Sequence, residues 1–385
     1  MSRENLFTVL IPHYNQQELW KTAVLSVLEQ DYPYIELVFV DDASEPFDPQ
    51  EVERFIQDHA ADNLVDYRIL VNESNLGTVK SLNHAHKYCN GRYILHFAAD
   101  DCLYNADVLK HFVSCLEQKT EDVLGVYGRC LKCDGDLNNL EEDFLPVEYA
   151  LKMNYESSQQ QFTELLHTCC FPLGAMAFIF DELKTYTPFC EDYFLHEDWP
   201  FFLKATRLGK KFVFFDFPAL LYRAGGVSRP VTSEATKVRK LLYQDYFHLH
   251  EKEIFPYTKG LKRKELANLL KHYDDVRRNA QPLLGEYQLI KRYQLLQYNI
   301  HFLTAFWKQI CSELRSLLVG AFFAVLAIIP DSILLFYLWQ KELLEAIIVL
   351  LLIRAILCTA MLLFFCKGIV SGYKNIKYYL FSPYR

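Results

Sequence analysis

Ile35-Glu36-Leu37-Val38-Phe39-Val40-Asp41-Asp42 is an apolar run holding a single acid and ending in two adjacent carboxylates. A short run of β-branched and aromatic residues is the pattern of a strand buried on both faces. Its abrupt end puts charge where the chain leaves the core. The same pattern recurs on either side. Residues 7–12 (FTVLIP) are apolar and stopped by proline, and residues 92–97 run on to Asp100-Asp101. Residues 67–71 and 123–127 read as further strands. Between them apolar residues fall at helical spacing over 18–29 (Leu19, Ala23, Val24, Val27, Leu28), 50–60, 79–88 and 108–118. Strands alternating with helices of about a dozen residues predict βαβ units, hence an α/β fold with a mostly parallel central sheet. In such sheets ligands bind beyond the carboxyl ends of the strands, where both acidic pairs stand.

Composition bounds the rest. The 385 residues carry 40 Lys plus Arg against 48 Asp plus Glu, a net charge of −8, and are 51% hydrophobic and 15% aromatic. Disordered and collagen-like chains are excluded. The total hides a division. Residues 1–232 hold 19 basic and 36 acidic side chains, net −17, whereas residues 233–385 hold 21 and 12, net +9. The 11 cysteines are odd in number and scattered. With no cleavable signal ahead of the first apolar run, reduced thiols are expected rather than a disulfide framework. Cys130 and Cys133 form a lone CxxC without a second pair, and they read as chance strand and loop cysteines, as do Cys169 and Cys170.

Three regions follow from this texture: an α/β domain over 1–232, a basic and mostly helical connection over 233–315, and an apolar helical hairpin with a basic tail over 316–385. Residues 317–338 contain one charge, Asp331, and residues 343–366 contain two, Glu345 and Arg354. Each run is long enough to cross a hydrocarbon core of about 30 Å. Two buried soluble helices, or a hairpin lying in the interface, are the alternatives. Lys308 and Arg315 before the runs, and Lys367, Lys374, Lys377 and Arg385 after them, place both flanks in the cytoplasm. The expectation is a membrane-associated protein with its α/β domain cytoplasmic. A basic excess accompanied by apolar runs fits anionic lipid rather than nucleic acid. Lys262, Arg263, Lys264, Arg277 and Arg278 could dock the domain to such a surface or form a solvated helical face.

Four acidic clusters are candidates for chemistry: Asp41-Asp42, Asp100-Asp101, Glu197-Asp198 and Asp274-Asp275. The last, in the basic region, reads as solvated surface. Carboxylates crowded at the open end of a sheet repel one another unless a cation or hydrogen-bond donors neutralise them. Mg²⁺ or Mn²⁺ with oxygen ligands and a bound diphosphate would supply that. Neither a GxxxxGK[ST] loop nor a GxGxxG fingerprint is present. A phosphate-bearing donor held through a metal remains.

Ile11-Pro12-His13-Tyr14-Asn15, Val40-Asp41-Asp42-Ala43-Ser44, Asn75-Leu76-Gly77, Ala98-Ala99-Asp100-Asp101 and His196-Glu197-Asp198-Trp199 resemble, in order and spacing, the motifs of family 2 glycosyltransferases. The resemblance covers about residues 5–230. It implies a Rossmann-like GT-A fold, a nucleotide-sugar donor, a divalent metal, and inversion by direct displacement. Position by position, it implies that Pro12 and Tyr14 pack on the nucleotide base and that Asp42 accepts from the base, usually uracil. Asp100 matches the residue near the ribose, Asp101 the metal ligand, and Asp198 the general base. Lys80 and Arg223 are candidate diphosphate contacts.

The chemistry needs those types. An acceptor hydroxyl must lose its proton to a positioned carboxylate, and charge developing on the diphosphate must be neutralised. Trp199, Phe201 and Phe202 could wall the base or belong to the core. The chain departs from the commoner pattern at Ala98, where an acid is usual, and at Gly225, where a metal-binding His is often found. The Gln-x-x-Arg-Trp motif of processive synthases is absent, which favours transfer of one sugar, plausibly to a lipid-linked or surface-polysaccharide glycan. A catalytically weak nucleotide-sugar-binding scaffold is the alternative. Acceptor specificity falls to about residues 130–230, of which 133–155 read as loop.

Overall fold

The computed structural model describes residues 3–16, 19–137, 140–224 and 235–284. The first elements are β1 (Phe7–His13), α1 (Leu19–Leu28), β2 (Ile35–Asp41), α2 (Pro49–His59), β3 (Leu64–Val71), α3 (Thr78–Ala85) and β4 (Tyr93–His96). The four strands pair in parallel in the spatial order β3-β2-β1-β4. Strand periodicity divides them between two faces. Phe7, Val9 and Ile11 of β1 and Ile35, Leu37 and Phe39 of β2 join Trp20, Ala23, Val24 and Val27 of α1 in the main core. Thr8 and Glu36 point the other way. Buried Glu36 accepts from the Thr8 hydroxyl at 2.5 Å and from the backbone and side-chain N–H groups of Asn90, both at 2.7 Å. A buried acid satisfied in this way belongs to the scaffold. Helix α2 starts where its sequence says it should: Asp48 caps it through the Gln50 N–H, and Pro49 holds its first position.

The second half comprises β5 (Cys102–Leu103), α4 (Val108–Gln118), β6 (Val123–Cys133), β7 (Leu140–Asp143), α5 (Val147–Asn154), α6 (Ser158–Leu165), β8 (Met176–Ile179), α7 (Phe180–Leu183), α8 (Asp198–Arg207) and β9 (Lys211–Arg223). Here the expected mostly parallel sheet is corrected to a mixed one. Strand β8 runs antiparallel to both β4 and β6, β7 is antiparallel to β6, and β5 to β9; β6 and β9 alone are parallel in this half. The chain reaches β8 from β6 through α5 and α6 and slots it between β4 and β6, giving the order β3-β2-β1-β4-β8-β6-β9-β5. Residues 133–155, read as loop, contain β7 and α5; the acid-rich Leu140–Asp143 strand has no apolar alternation to announce it.

Two side-chain amides bind the N-terminal part of β9. Asn154 gives its N–H to the Phe214 carbonyl at 2.8 Å and takes the Phe214 N–H at 2.7 Å. Gln161 does the same with Phe212, at 2.9 and 3.0 Å. Beyond β9 lie α9 (Ala235–Leu249), a π-helical turn (His250–Ile254), a 3₁₀ stretch (Phe255–Gly260) and α10 (Arg263–Leu284). On α10, Arg277 and Arg278 pair with Asp274 at 2.9 and 3.4 Å, and Arg278 also pairs with Asp275. The basic and acidic residues there largely compensate one another. The apolar runs 317–338 and 343–366 lie outside the described residues; among the described residues no helix is long and apolar enough to cross a membrane.

Candidate functional site

The motif residues collect at the carboxyl ends of β1, β2 and β4. After β1 and β2 the backbone turns through positive φ at Asn15 (52°) and Ala43 (59°), which only a held-down loop sustains. The holding is visible. Asp41 takes His13 Nδ1 at 2.7 Å and the Ser44 N–H at 2.9 Å, the Asn15 N–H reaches Ser44 Oγ at 2.8 Å, and the Glu45 N–H reaches Asn15 Oδ1 at 3.0 Å. Pro12 accepts the Ala99 N–H at 3.1 Å, joining the β1 end to the Asp100 loop. Tyr14 is exposed at the rim.

Asp42 turns away from this loop. Its Oδ1 accepts from Asn72 Nδ2 at 2.9 Å and the Leu76 N–H at 2.8 Å, and its Oδ2 from the Gly77 N–H at 2.8 Å. Three of the roughly four acceptor positions of a carboxylate are thus filled from within the chain. Asp42 therefore shapes the Asn75-Leu76-Gly77 loop. Lys80 lies exposed on α3, one turn beyond that loop.

Asp100 and Asp101 are both buried. Burial pushes the Asp100 carboxyl up, against the opposing influence of the Arg223 charge, a Gln16 hydrogen bond and His13. Asp101 is pushed well up by burial and then by Asp100 itself, opposed by the Arg223 N–H and charge. Arg223, at the end of β9, is buried too. Its backbone N–H meets Asp101 Oδ1 at 2.9 Å, its Nε meets the Asp100 carbonyl at 2.6 Å, and Nη1 bonds the Gly135 carbonyl. The guanidinium is thus anchored on carbonyls beside the two acids. Two adjacent carboxylates whose charged forms are penalised fit a hard cation, which would relieve both. Among the described residues no group of three or more His, Cys, Asp or Glu converges. A cation here would complete its shell from water and ligand oxygens, the usual habit of Mg²⁺ at phosphate sites. Gly225 lies outside the described residues.

Asp198 opens α8. Its Oδ1 takes the Trp199 N–H at 2.6 Å, and its Oδ2 faces the Cys169 thiol at 3.5 Å. That thiol is pushed well up by burial and by the Asp198 charge, which keeps it a donor. Neighbouring Glu197 is raised by burial, then by Asp198 and by Asp245. The aromatic residues after Asp198 are core: Phe201 and Phe202 pack with Phe178, Phe189, Phe171 and Phe212, and the Trp199 ring gives its N–H to the Leu165 carbonyl at 2.8 Å.

Residues 8–183 match the family model described as Glycosyl transferase family 2. Over this stretch the chain is similar to family 2 glycosyltransferases. Over 218 residues the chain is 24% identical to the amylovoran biosynthesis glycosyltransferase AmsB of Erwinia amylovora, covering 56% of this chain and 69% of that protein. Over 131 residues it is 30% identical to the poly(ribitol-phosphate) beta-N-acetylglucosaminyltransferase TarS of Staphylococcus aureus, covering 32% of this chain and 22% of TarS. An uncharacterized glycosyltransferase of Rickettsia conorii is spanned over 30% of its length, so the chain covers less than a third of two of these relatives. Among solved structures, a mannosyltransferase of Pyrobaculum calidifontis in complex with GDP-Man and Mn²⁺ aligns at TM-score 0.49 and 19% identity, over 73% of this chain and 72% of that one. The similarity to these named glycosyltransferases supports a transferase enzyme. The matched stretch ends at residue 183, short of Glu197-Asp198, Arg223 and the helices beyond.

Sequence reasoning passed over several residues of this site. His13, Gln16 and Cys169 touch or face the motif acids, and Asp245 acts from α9 on the loop before Asp198. His13 stands inside the first motif but without a role that the motif reveals, and the others carry no local signal, because each is defined by a partner distant along the chain.

Proposed function

We propose that the chain is an inverting glycosyltransferase that moves one sugar from a nucleotide-diphosphate sugar, a UDP-sugar by the resemblance, to an acceptor hydroxyl of a lipid-linked or surface-polysaccharide glycan. The observation that carries this reading is the buried Asp100-Asp101 pair at the end of β4, within the matched stretch. Burial penalises both charges, and Asp100 further penalises that of Asp101, as expected of a site built to meet a cation and a diphosphate. AmsB, a relative named for amylovoran biosynthesis, supports the polysaccharide acceptor.

In this reading Pro12, Tyr14 and Asp42 receive the base, Asp100 lies by the ribose, and Asp101 holds Mn²⁺ or Mg²⁺. A bound ion there would supply neutralising charge for the leaving diphosphate. Lys80 and Arg223 add positive charge to the same end. Asp198, oriented by the Trp199 N–H and the Cys169 thiol, takes the proton of the acceptor hydroxyl. The acceptor oxygen then bonds to the anomeric carbon on the face opposite the nucleotide, and the electron pair of the broken C–O bond leaves on the diphosphate. We further place the domain on the cytoplasmic face of a membrane, held by residues 316–385.

The test is a panel of UDP-sugars with Mn²⁺, scored by hydrolysis or by transfer to a lipid extract. Asp198→Asn should bind UDP as the wild type does while turnover falls about 10²–10⁴-fold. Asp101→Ala should lose Mn²⁺-dependent UDP binding in calorimetry. Retained turnover in the first variant, or unchanged affinity in the second, refutes the corresponding role. A wild type that binds nucleotide sugar without transferring it would favour the scaffold.

A further inference from the structure

The segment between residues 235 and 260, beyond the matched stretch, clasps α8 at both ends. At the far end Arg207 meets Glu253 at 2.6 Å, and its guanidinium lies 4.4 Å from the Tyr257 ring centroid. At the near end the Trp199 ring meets Tyr246 and His250 edge-on, with centroids 6.2 and 5.7 Å apart. Between these contacts one carboxylate from α9 reaches a backbone turn. Asp245, only 6% exposed, accepts the N–H groups of Phe194 at 3.0 Å, Leu195 at 2.6 Å and His196 at 3.1 Å. Three successive amides converging on one anion form a preorganised concavity. A buried carboxylate is tolerated because they satisfy it.

Those three residues directly precede Glu197-Asp198. Their other side bears on the Asn75-Leu76-Gly77 loop: the Phe194 carbonyl takes the Val79 N–H at 3.5 Å, and a Cβ at Gly77 would lie 2.6 Å from that carbonyl oxygen. The loop before Asp198 is therefore fixed between α9 and the loop that Asp42 holds. We propose that Asp245 is a positioning residue for catalysis, holding the Phe194-Leu195-His196 turn so that Asp198 is presented in register with the 75–77 loop. The proposal rests on the reading of Asp198 as the base. It makes the helical segment a working part of the catalytic unit rather than a mere connection to the residues beyond it.

The test uses the full chain, Asp245→Asn, and Lys252→Ala as control; Lys252 pairs on the surface with Asp192 at 2.7 Å. An asparagine keeps the shape but turns an N–H toward one of the three amides. Hydrolysis of UDP-glucose, UDP-galactose and UDP-GlcNAc gives kcat and KM, UDP calorimetry gives affinity, and hydrogen exchange follows the amides of Phe194, Leu195 and His196. In Asp245→Asn, kcat should fall about 10- to 100-fold with KM and UDP affinity within about threefold of wild type, because misplacement by an ångström costs that much. Exchange should quicken at the three amides, and Lys252→Ala should match the wild type. An unchanged kcat overturns the proposal, as does a parallel loss of kcat, affinity and exchange protection throughout the domain. If the variant does not fold, exchange in the wild type decides: the three amides should be protected like those of α9, and open-loop rates overturn the clamp. If the wild type turns over none of the three sugars, the functional reading fails while the exchange result still stands for or against the clamp.

Discussion

Gly77 joins the two halves of the site, so Gly77→Ala is the most informative single change. The residue sits at φ 83° and ψ 163°, a region populated almost exclusively by glycine. Holding alanine there costs about 1–3 kcal/mol. The added Cβ would also lie 2.6 Å from the Phe194 carbonyl oxygen and 2.9 Å from two of its ring carbons. A ring can rotate, but a backbone oxygen must move with its chain, and overpacking of this kind costs about 1–3 kcal/mol more. The gain from a stiffer unfolded chain, about 0.4–1 kcal/mol, is smaller. The net loss is then about 1–6 kcal/mol, against a total stability on the order of 5–15 kcal/mol. Relief comes by moving either the 75–77 loop away from Asp42 or the Phe194 turn away from Asp245. Urea unfolding followed by tryptophan fluorescence gives the stability, and UDP-sugar hydrolysis gives the functional cost. A stability change under about 0.5 kcal/mol, typical of an indifferent surface site, with unaltered turnover would refute the reasoning.

Two further outcomes follow from described features. His86, bonded to His96 at 2.7 Å, is pulled down to about 4 by burial and by the Lys184 charge. It is neutral when folded, while the unfolded imidazole titrates near 6.5. Its contribution is therefore complete above pH 6.5 and is lost as pH falls toward 4, by about 2 kcal/mol between pH 7 and 5. The raised Asp100, Asp101 and Glu197 pull stability the opposite way. The measured quantity is accordingly the stability difference between wild type and His86→Asn, which should narrow by that amount on acidification; a pH-independent difference contradicts it. Removing residues 316–385 should move the protein from the membrane to the soluble fraction, and identical fractionation of both forms would exclude the proposed anchor.

The parts of the fold legible in the sequence are those written locally. Helix α4 spans Val108–Gln118, where the periodicity puts it, and β1 and β2 differ from the expected ranges by a residue at their ends. Strand direction is not local. Met176–Ile179 is four apolar residues that would look the same in either orientation, so the mixed half of the sheet stays hidden. In the site, the motifs mark which acids matter but not how two neighbours divide the work. Asp41 ends its strand facing His13, while Asp42, one residue on, faces Asn72 and the 75–77 loop, a divergence set by backbone direction. Asp245 was illegible for a different reason. Its meaning lies in three amides some 50 residues away, and within α9 it is one more polar residue.

The paired amides of Asn154 and Gln161 on β9 have a consequence for how copies of this chain behave toward one another. Exposed strand N–H and C=O groups invite pairing with a strand from another molecule. At Phe212 and Phe214 those groups already have partners that imitate a neighbouring strand without being one, supplied by Gln161 in the middle of α6 and Asn154 at the end of α5. The sheet border is sealed by residues that add no new edge. Losing either amide would reopen two ladder positions on an aromatic-rich strand, and self-association would become a hazard even where the folded site was intact.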